Sequence, residues 1–215
     1  MASPLLEKAR PGTGGPGAPP GPNDSGPGDR PPSGGSPGII GDPARFGLLA
    51  FMGTVSMLFI GFTSAYILRR ASADWRPLVA PPILWLNTAI LAASSATLEV
   101  ARRRLRGWDL AAAQKWAGAT ALLGLAFLIG QLLGWRQLSA RGVFLASNPH
   151  SSFFYVLTGV HALHLLGGLV WGFVVVARLR RMTLTPGEDG LGLFATYWHF
   201  LGALWLYLLF LLFVY

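Results

Sequence analysis

Residues 46–70 read FGLLAFMGTVSMLFIGFTSAYILRR. From Phe46 to Leu68 no residue is charged, and Arg69 and Arg70 close the run. At a helical rise of ~1.5 Å per residue, a stretch of this length crosses the ~30 Å hydrocarbon core of a bilayer. The pattern recurs along the chain. A second apolar segment starts near Pro81 and Pro82, where a helix can spare the missing N–H groups, and stops at Arg102, Arg103 and Arg104. A third follows, and a fourth begins after Asn148-Pro149 has interrupted a long uncharged stretch and ends at Arg178, Arg180 and Arg181. The fifth starts near Leu191. The expected fold is all-α, a polytopic transmembrane bundle of five helices, with spans at about 46–68, 79–101, 116–135, 152–177 and 191–215 inside a domain of residues 45–215.

Composition excludes the alternatives. Of the 215 residues 52% are apolar and 12% charged, where soluble domains carry about 25% charged residues. A net charge of +8 would suit nucleic acid on a soluble fold, but the arginines fall between apolar runs and read as topology signals. Nucleic acid is not an expected partner. The chain has no cysteine, which excludes disulfide, iron-sulfur and thiolate chemistry. Its start, MASPLLEKAR, lacks the pattern of a signal peptide, so the first span is expected to direct insertion. Within residues 1–44, the stretch from Pro11 to Gly38 is rich in Gly and Pro, without the large apolar side chains that would offset the entropy of ordering. A disordered cytoplasmic tail is expected there, and its prolines form no regular PxxP array.

The Lys and Arg residues set the orientation. With five spans, Lys8, Arg10, Arg30, Arg45, Arg102, Arg103, Arg104, Arg106, Lys115, Arg178, Arg180 and Arg181 fall on one face, against Arg69, Arg70, Arg76, Arg136 and Arg141 on the other. The excess places the N-terminus inside and the C-terminus outside. Small residues indicate close packing: Ala89, Ala92, Ala93, Ser94, Ser95 and Ala96 in the second span, and Gly168 and Gly172 at GxxxG spacing in the fourth. The fifth span has few, beyond Gly192 and Gly202, and is expected to show more of itself to lipid.

Ionisable groups in lipid cost about 2.5–3.5 kcal/mol, so each one is a candidate site. Glu99 stands three and four residues before Arg102 and Arg103, the spacing of an ion pair on a helix. His161 and His164 share a face of the fourth span, and His199 lies in the fifth. Imidazoles can ligate metal or haem, but such sites add carboxylate or carbonyl support and further ligands, and no Asp or Glu lies near these three. They are expected to be packing residues or contacts to lipid or a partner. Asn87, Thr88 and Gln131 read as interhelical hydrogen bonds of ~0.6 kcal/mol each. Trp75, Trp85, Trp108, Trp116 and Trp135 lie near span ends and fit an interfacial belt, whereas Trp171, Trp198 and Trp205 lie deeper and are expected to fill gaps between helices.

The segment SSFFYVLTGVHALHLLGG (151–168) and the segment TYWHFLGALWLYLL (196–209) resemble, in order, two motifs of subunit III of the haem-copper oxidases. Leu86-Asn87-Thr88 and Gln131 with Trp135 match further stretches of that family, so the resemblance runs from about Phe46 to Tyr215. It implies an auxiliary subunit without haem or copper of its own, those cofactors being in partner subunits. Subunit I, with subunit II in the same complex, and membrane phospholipids are the implied partners. The role implied is to stabilise subunit I and sustain proton uptake in a bacterial inner membrane. On this reading His161, His164, His199, Trp198 and Glu99 are the candidate contacts to partner or lipid. Three acidic positions of the family are replaced, by Val55, Gly134 and Gly202, so roles tied to those carboxylates do not carry over. A cytochrome c oxidase leads; a quinol oxidase subunit III and the subunit-III-like accessory protein of nitric oxide reductase systems stay open. A transporter is disfavoured, because no charged path crosses mid-membrane. The histidines imply that the isolated chain binds no stoichiometric haem, copper or zinc.

The orientation is directly testable. A reporter fused after Tyr215 is expected to be active outside the membrane, and reporters placed near Gly107 and Gly187 to report cytoplasm; activity of the Tyr215 fusion in the cytoplasm would refute the five-span map.

Overall fold

A computed structural model describes residues 43–181 and 190–214. The tail expected at 1–44 lies outside the described residues except for Pro43 and Ala44, which open the first helix. Among the described residues there are five helices, α1 (Pro43–Arg70), α2 (Ile83–Arg106), α3 (Leu110–Ala140), α4 (Pro149–Arg180) and α5 (Gly190–Phe213). All five are long and apolar enough to cross a membrane.

The helices begin and end where local chemistry lets them, which is not always where the apolar runs stop. α3 is 31 residues and α4 is 32, because charged residues at the interface extend a helix as readily as apolar ones. Asp109 caps α3, its Oδ1 accepting from the Ala112 amide at 3.1 Å. Asn148 and Ser151 cap α4 reciprocally, with Pro149 in the first turn, and so satisfy amides that the helix cannot. α2 starts only at Ile83, after the prolines. Two helices close on left-handed residues. At the end of α3, Gly142 (φ 76) donates to Ser139 O and Val143 to Leu138 O, and at the end of α2, Trp108 (φ 60) donates to Leu105 O and Asp109 to Arg104 O. This paired arrangement satisfies the last carbonyls. It normally takes glycine, and Trp108 accepts ~1–2 kcal/mol of backbone strain in the tight link between α2 and α3.

α2, α3, α4 and α5 form a closed ring, each helix packed on the next and α5 packed back on α2, while α1 lies in the groove between α4 and α5. In lipid, helices associate through close fit and hydrogen bonds, because the solvent is as apolar as the side chains. The fit here is of large rings into hollows left by small residues. A Cβ on Gly124 of α3 would lie 2.6 Å from the Trp198 ring of α5; on Gly168 of α4 it would lie 3.1 Å from Tyr197, and on Gly172 3.0 Å from Phe194. Trp198 and Trp205 are fully enclosed, as expected of gap-fillers. Each indole also donates to a hydroxyl on α2: Trp198 Nε1 to Ser94 Oγ at 3.0 Å and Trp205 Nε1 to Thr88 Oγ1 at 3.1 Å. Trp135 of α3 does the same to Thr158 of α4 at 3.2 Å. Every one of these hydroxyls gives its own proton back to a carbonyl of its own helix.

The expectation that the fifth span shows more of itself to lipid is overturned. Of its membrane-crossing window 44% is buried, against 11% for α1. A helix that carries the rings needs no small residues itself; the hollows are on its neighbours. Conversely, Gly47, Gly53 and Gly61 of α1 face nothing within 4 Å. α1 is tied to the ring by Val55, Phe59 and Tyr66, all buried, and by a 2.9 Å bond between Thr63 Oγ1 and Tyr207 OH of α5.

Gly124→Ala is therefore expected to force the Trp198 ring out of place and cost about 1–3 kcal/mol, read as a lower temperature at which half the detergent-solubilised protein stays monodisperse after heating. Gly118→Ala on the same helix, where nothing lies within 4 Å, is expected to leave that temperature unchanged; equal losses in both would refute the ring-in-hollow account.

Candidate functional site

The ionisable and polar side chains inside the bundle occupy separate surroundings. Glu99 pairs with Arg102 at 2.9 Å and Arg103 at 3.5 Å, the ion pair that its spacing indicated, at the end of α2. His164 faces α1, its ring 6.3 Å from that of Phe51 and 6.1 Å from that of Phe59. Its Nδ1 carries a proton to Val160 O at 2.8 Å. Val55, where the family resemblance would place a carboxylate, lies on α1 between those two phenylalanines and is buried. An acidic side chain at Gly134 would meet Ile83, 3.3 Å from the Cβ position.

His161 takes a different course. It is fully buried, edge-on to Phe127 and 5.3 Å from the Trp205 ring. It and Trp198, named from the sequence both as packing residues and as candidate contacts to a partner or lipid, are enclosed within the α2–α5 ring. Thr88 makes the interhelical bond expected of it. Asn87 and Gln131 do not: buried on α2 and α3, they find no hydrogen-bond partner among the described residues, and neither does either nitrogen of His161.

His199 is exposed on α5, at a groove of about 350 Å³ between α2 and α5 that also takes in Thr88, Ser95 and Gly202. An imidazole and two hydroxyls at span depth make this an intramembrane surface with hydrogen-bonding capacity. At one end of the bundle a hollow of about 810 Å³ lies between the α1–α2 and α3–α4 links, lined by Arg69, Asp74, Arg76 and Asn148 among others. Asp74 there pairs with Arg69 at 2.9 Å, and a Ser72 hydrogen bond chiefly, helped by that arginine, lowers its carboxyl below the ordinary value.

One histidine that the sequence did not single out has the richest set of contacts. His150 opens α4, stacks on Trp75 at 4.9 Å and 13°, and lies edge-on to Tyr66. Its Nδ1 accepts from the Leu78 amide at 2.8 Å, so Nε2 holds the proton and donates to Leu212 O at 3.1 Å. One neutral ring thus ties the α1–α2 link and the end of α5 to the start of α4. Both partners are more than sixty residues away in sequence, and no local pattern reports them.

Among the described residues no three His, Cys, Asp or Glu side chains converge as metal ligands would. Five membrane-length helices closed by aromatic rings, with polar groups dispersed singly or in pairs, define a multi-pass integral membrane protein. Residues 37–215 match the family described as Cytochrome c oxidase subunit III, and the chain belongs to that family. It is 33% identical to cytochrome c oxidase subunit 3 of Synechocystis sp. over 80% of this chain and 76% of that protein. It is also 33% identical to cytochrome c oxidase subunit 3 of Thermostichus vulcanus over 78% and 85%. A probable cytochrome c oxidase subunit 3 of Mycobacterium bovis is 30% identical over 74% and 82%.

Replacing His150 by Phe keeps the stacking but leaves the Leu78 amide and the Leu212 carbonyl unpaired, a cost of about 1–3 kcal/mol. Amide hydrogen exchange in residues 71–82 is expected to speed up markedly; exchange as slow as in the unaltered protein would show that the clamp does not hold the link.

Proposed function

We propose that this chain is the auxiliary subunit III of a haem-copper terminal oxidase of the cytochrome c oxidase kind, working in aerobic respiratory electron transport in a bacterial inner membrane. It packs against the catalytic subunit I within a complex that also contains subunit II; haem and copper are held by those partners and not by this chain. Its N-terminus is cytoplasmic and its C-terminus periplasmic. Its task is to stabilise subunit I and sustain proton uptake and oxygen reduction over many turnovers.

The observation that carries this reading is the dispersal of the histidines. His150 is bound to two backbone groups, His161 is enclosed beside Trp205, His164 bonds its own helix, and His199 stands at an exposed groove between α2 and α5. A redox centre needs ligands that converge with supporting groups behind them, and these four rings point to four separate places. The three relatives named above all carry the cytochrome c oxidase name, which favours that enzyme over a quinol oxidase or a nitric oxide reductase system.

The docking face is best placed on the α2–α5 groove. An exposed imidazole beside Ser95 at span depth is costly against lipid and favourable against a partner helix that can hydrogen-bond to it. Phospholipid covers the remaining apolar faces, including that of α1.

Deleting the chain is expected to leave the haem spectra of the remaining complex intact and some oxygen reduction present, while assembled yield falls or activity decays during turnover. The measurement is oxygen consumption over successive turnovers at equal haem content. Immediate and complete loss of oxygen reduction with the haems in place would overturn the auxiliary role. His199→Leu is expected to reduce co-purification of the catalytic subunit through detergent washes, and undiminished recovery would move the docking face elsewhere.

A further inference from the structure

Two backbone groups at one end of the bundle depend on a single side chain. The Leu78 amide lies in the non-helical stretch between α1 and α2, and the Leu212 carbonyl is among the last four of α5, which a helix leaves open. The His150 ring serves both, accepting from Leu78 N at Nδ1 (2.8 Å) and donating from Nε2 to Leu212 O (3.1 Å). Only the neutral ring can do this, because imidazolium carries a hydrogen on each nitrogen and accepts nothing. The ring is 3% exposed, stacked on Trp75 and flanked by Tyr66 and Phe213. Its neighbours Asn148 and Pro149 nevertheless line the open hollow of about 810 Å³, as does Arg76 of the α1–α2 link, so the ring stands one residue back from an open surface. A proton arriving there has a second backbone group to meet. The Arg76 carbonyl lies beside the ring, two residues before Leu78.

We propose that His150 is a proton-operated latch on the α1–α2 link: on taking a proton from solvent, Nδ1 turns from acceptor to donor, releases the Leu78 amide and re-seats the link on the Arg76 carbonyl. The charged and titratable groups around the ring do not stabilise its charged form in place. α1 presents Tyr66 edge-on and the Arg70 guanidinium, which repels a second cation. The link presents Arg76, and its Asp74 is engaged by Arg69. α5 presents Leu212 and Phe213, and on α4 the nearest ionisable side chain in sequence, Tyr155, is committed to the Val143 carbonyl. Among the described residues no carboxylate acts on the ring, so the backbone must move to accommodate the added proton. The latch is closed above the pH at which the ring titrates and open below it. Ala73, Asp74 and Arg76 of the link are part of the wall of the hollow, and opening the latch therefore reshapes that surface. The orientation proposed above puts it on the outer face, the side that receives protons from a proton-pumping oxidase; that meaning rests on the proposed function, and the latch itself does not.

The test uses the full chain in lipid nanodiscs, titrated from about pH 8 to about pH 4.5, either side of an ordinary imidazole. The ¹⁵N resonances of the His150 ring, identified by their loss in His150→Gln, report its charge. Exchange of the Leu78 amide, corrected for the intrinsic effect of pH on exchange, reports the latch. Protection of Leu78 is expected to fall about tenfold as the ring takes its proton, the size of one ordinary hydrogen bond, with one midpoint for both signals. His150→Gln keeps an acceptor and a donor on a side chain that does not titrate, and its Leu78 protection is expected to stay flat across the range. A ring that remains neutral to the acid limit, a Leu78 amide still protected once the ring is charged, or an acid response that persists in His150→Gln would each overturn the proposal. The shared midpoint in the unaltered chain decides the matter even where the variant folds poorly. All these readings are made without a partner subunit, so they stand or fall apart from the auxiliary role.

Discussion

The Trp198 indole, seated in the hollow at Gly124 and bonded to Ser94, is the contact on which the closed ring of helices depends. It touches α3 by shape and α2 by a hydrogen bond, and it projects from α5. Three helices meet at one side chain. The nearby rings extend the same device to α4, through Phe194 at Gly172 and Tyr197 at Gly168. Because lipid tails compete on equal terms for any apolar surface, only a fit of this closeness, or a polar bond unavailable in hydrocarbon, favours helix over lipid. Each of these residues supplies one or both.

The same constraint explains why tryptophan recurs with serine or threonine. An indole has one donor and nothing else polar, while a hydroxyl in a helix can satisfy its proton on its own backbone and keep a lone pair free. The pairing leaves no orphan on either side, and it appears at Trp135, Trp198 and Trp205. Asparagine and glutamine carry both donors and acceptors on one short stem, so no single hydroxyl completes them. That difference separates the satisfied hydroxyls and indoles of the bundle from Asn87 and Gln131, whose amides find no partner among the described residues.

How much could be read from the chain follows from how local each determinant is. Five spans, the Glu99 ion pair and the Asn148-Pro149 break are written in runs and spacings of a few residues, and each is found where those spacings put it. The burial of α5 is not written so locally, because the relevant signal, glycine opposite ring, is divided between helices and the small residues lie on the partners of α5. His150 escaped notice for the same reason: it acts through the backbone of Leu78 and Leu212, which any residue types there would present. His161 is legible as special but not as inward, since helical phase in a span that is apolar all round does not distinguish the core from the lipid.

Synthesis runs from the N-terminus, and the hollows of α2, α3 and α4 are therefore made before the rings that occupy them. Until α5 leaves the insertion machinery, Gly168 and Gly172 have only acyl chains against them, Gly124 lacks the Trp198 ring, and Ser94 and Thr88 lack the indoles that they will accept. The four earlier helices can reach their membrane depth but have no reason to hold a unique arrangement. Closure of the ring is thus deferred to a single late event, in which α5 displaces lipid from three helices at once. Quality control that samples loosely associated spans has its opportunity in that interval.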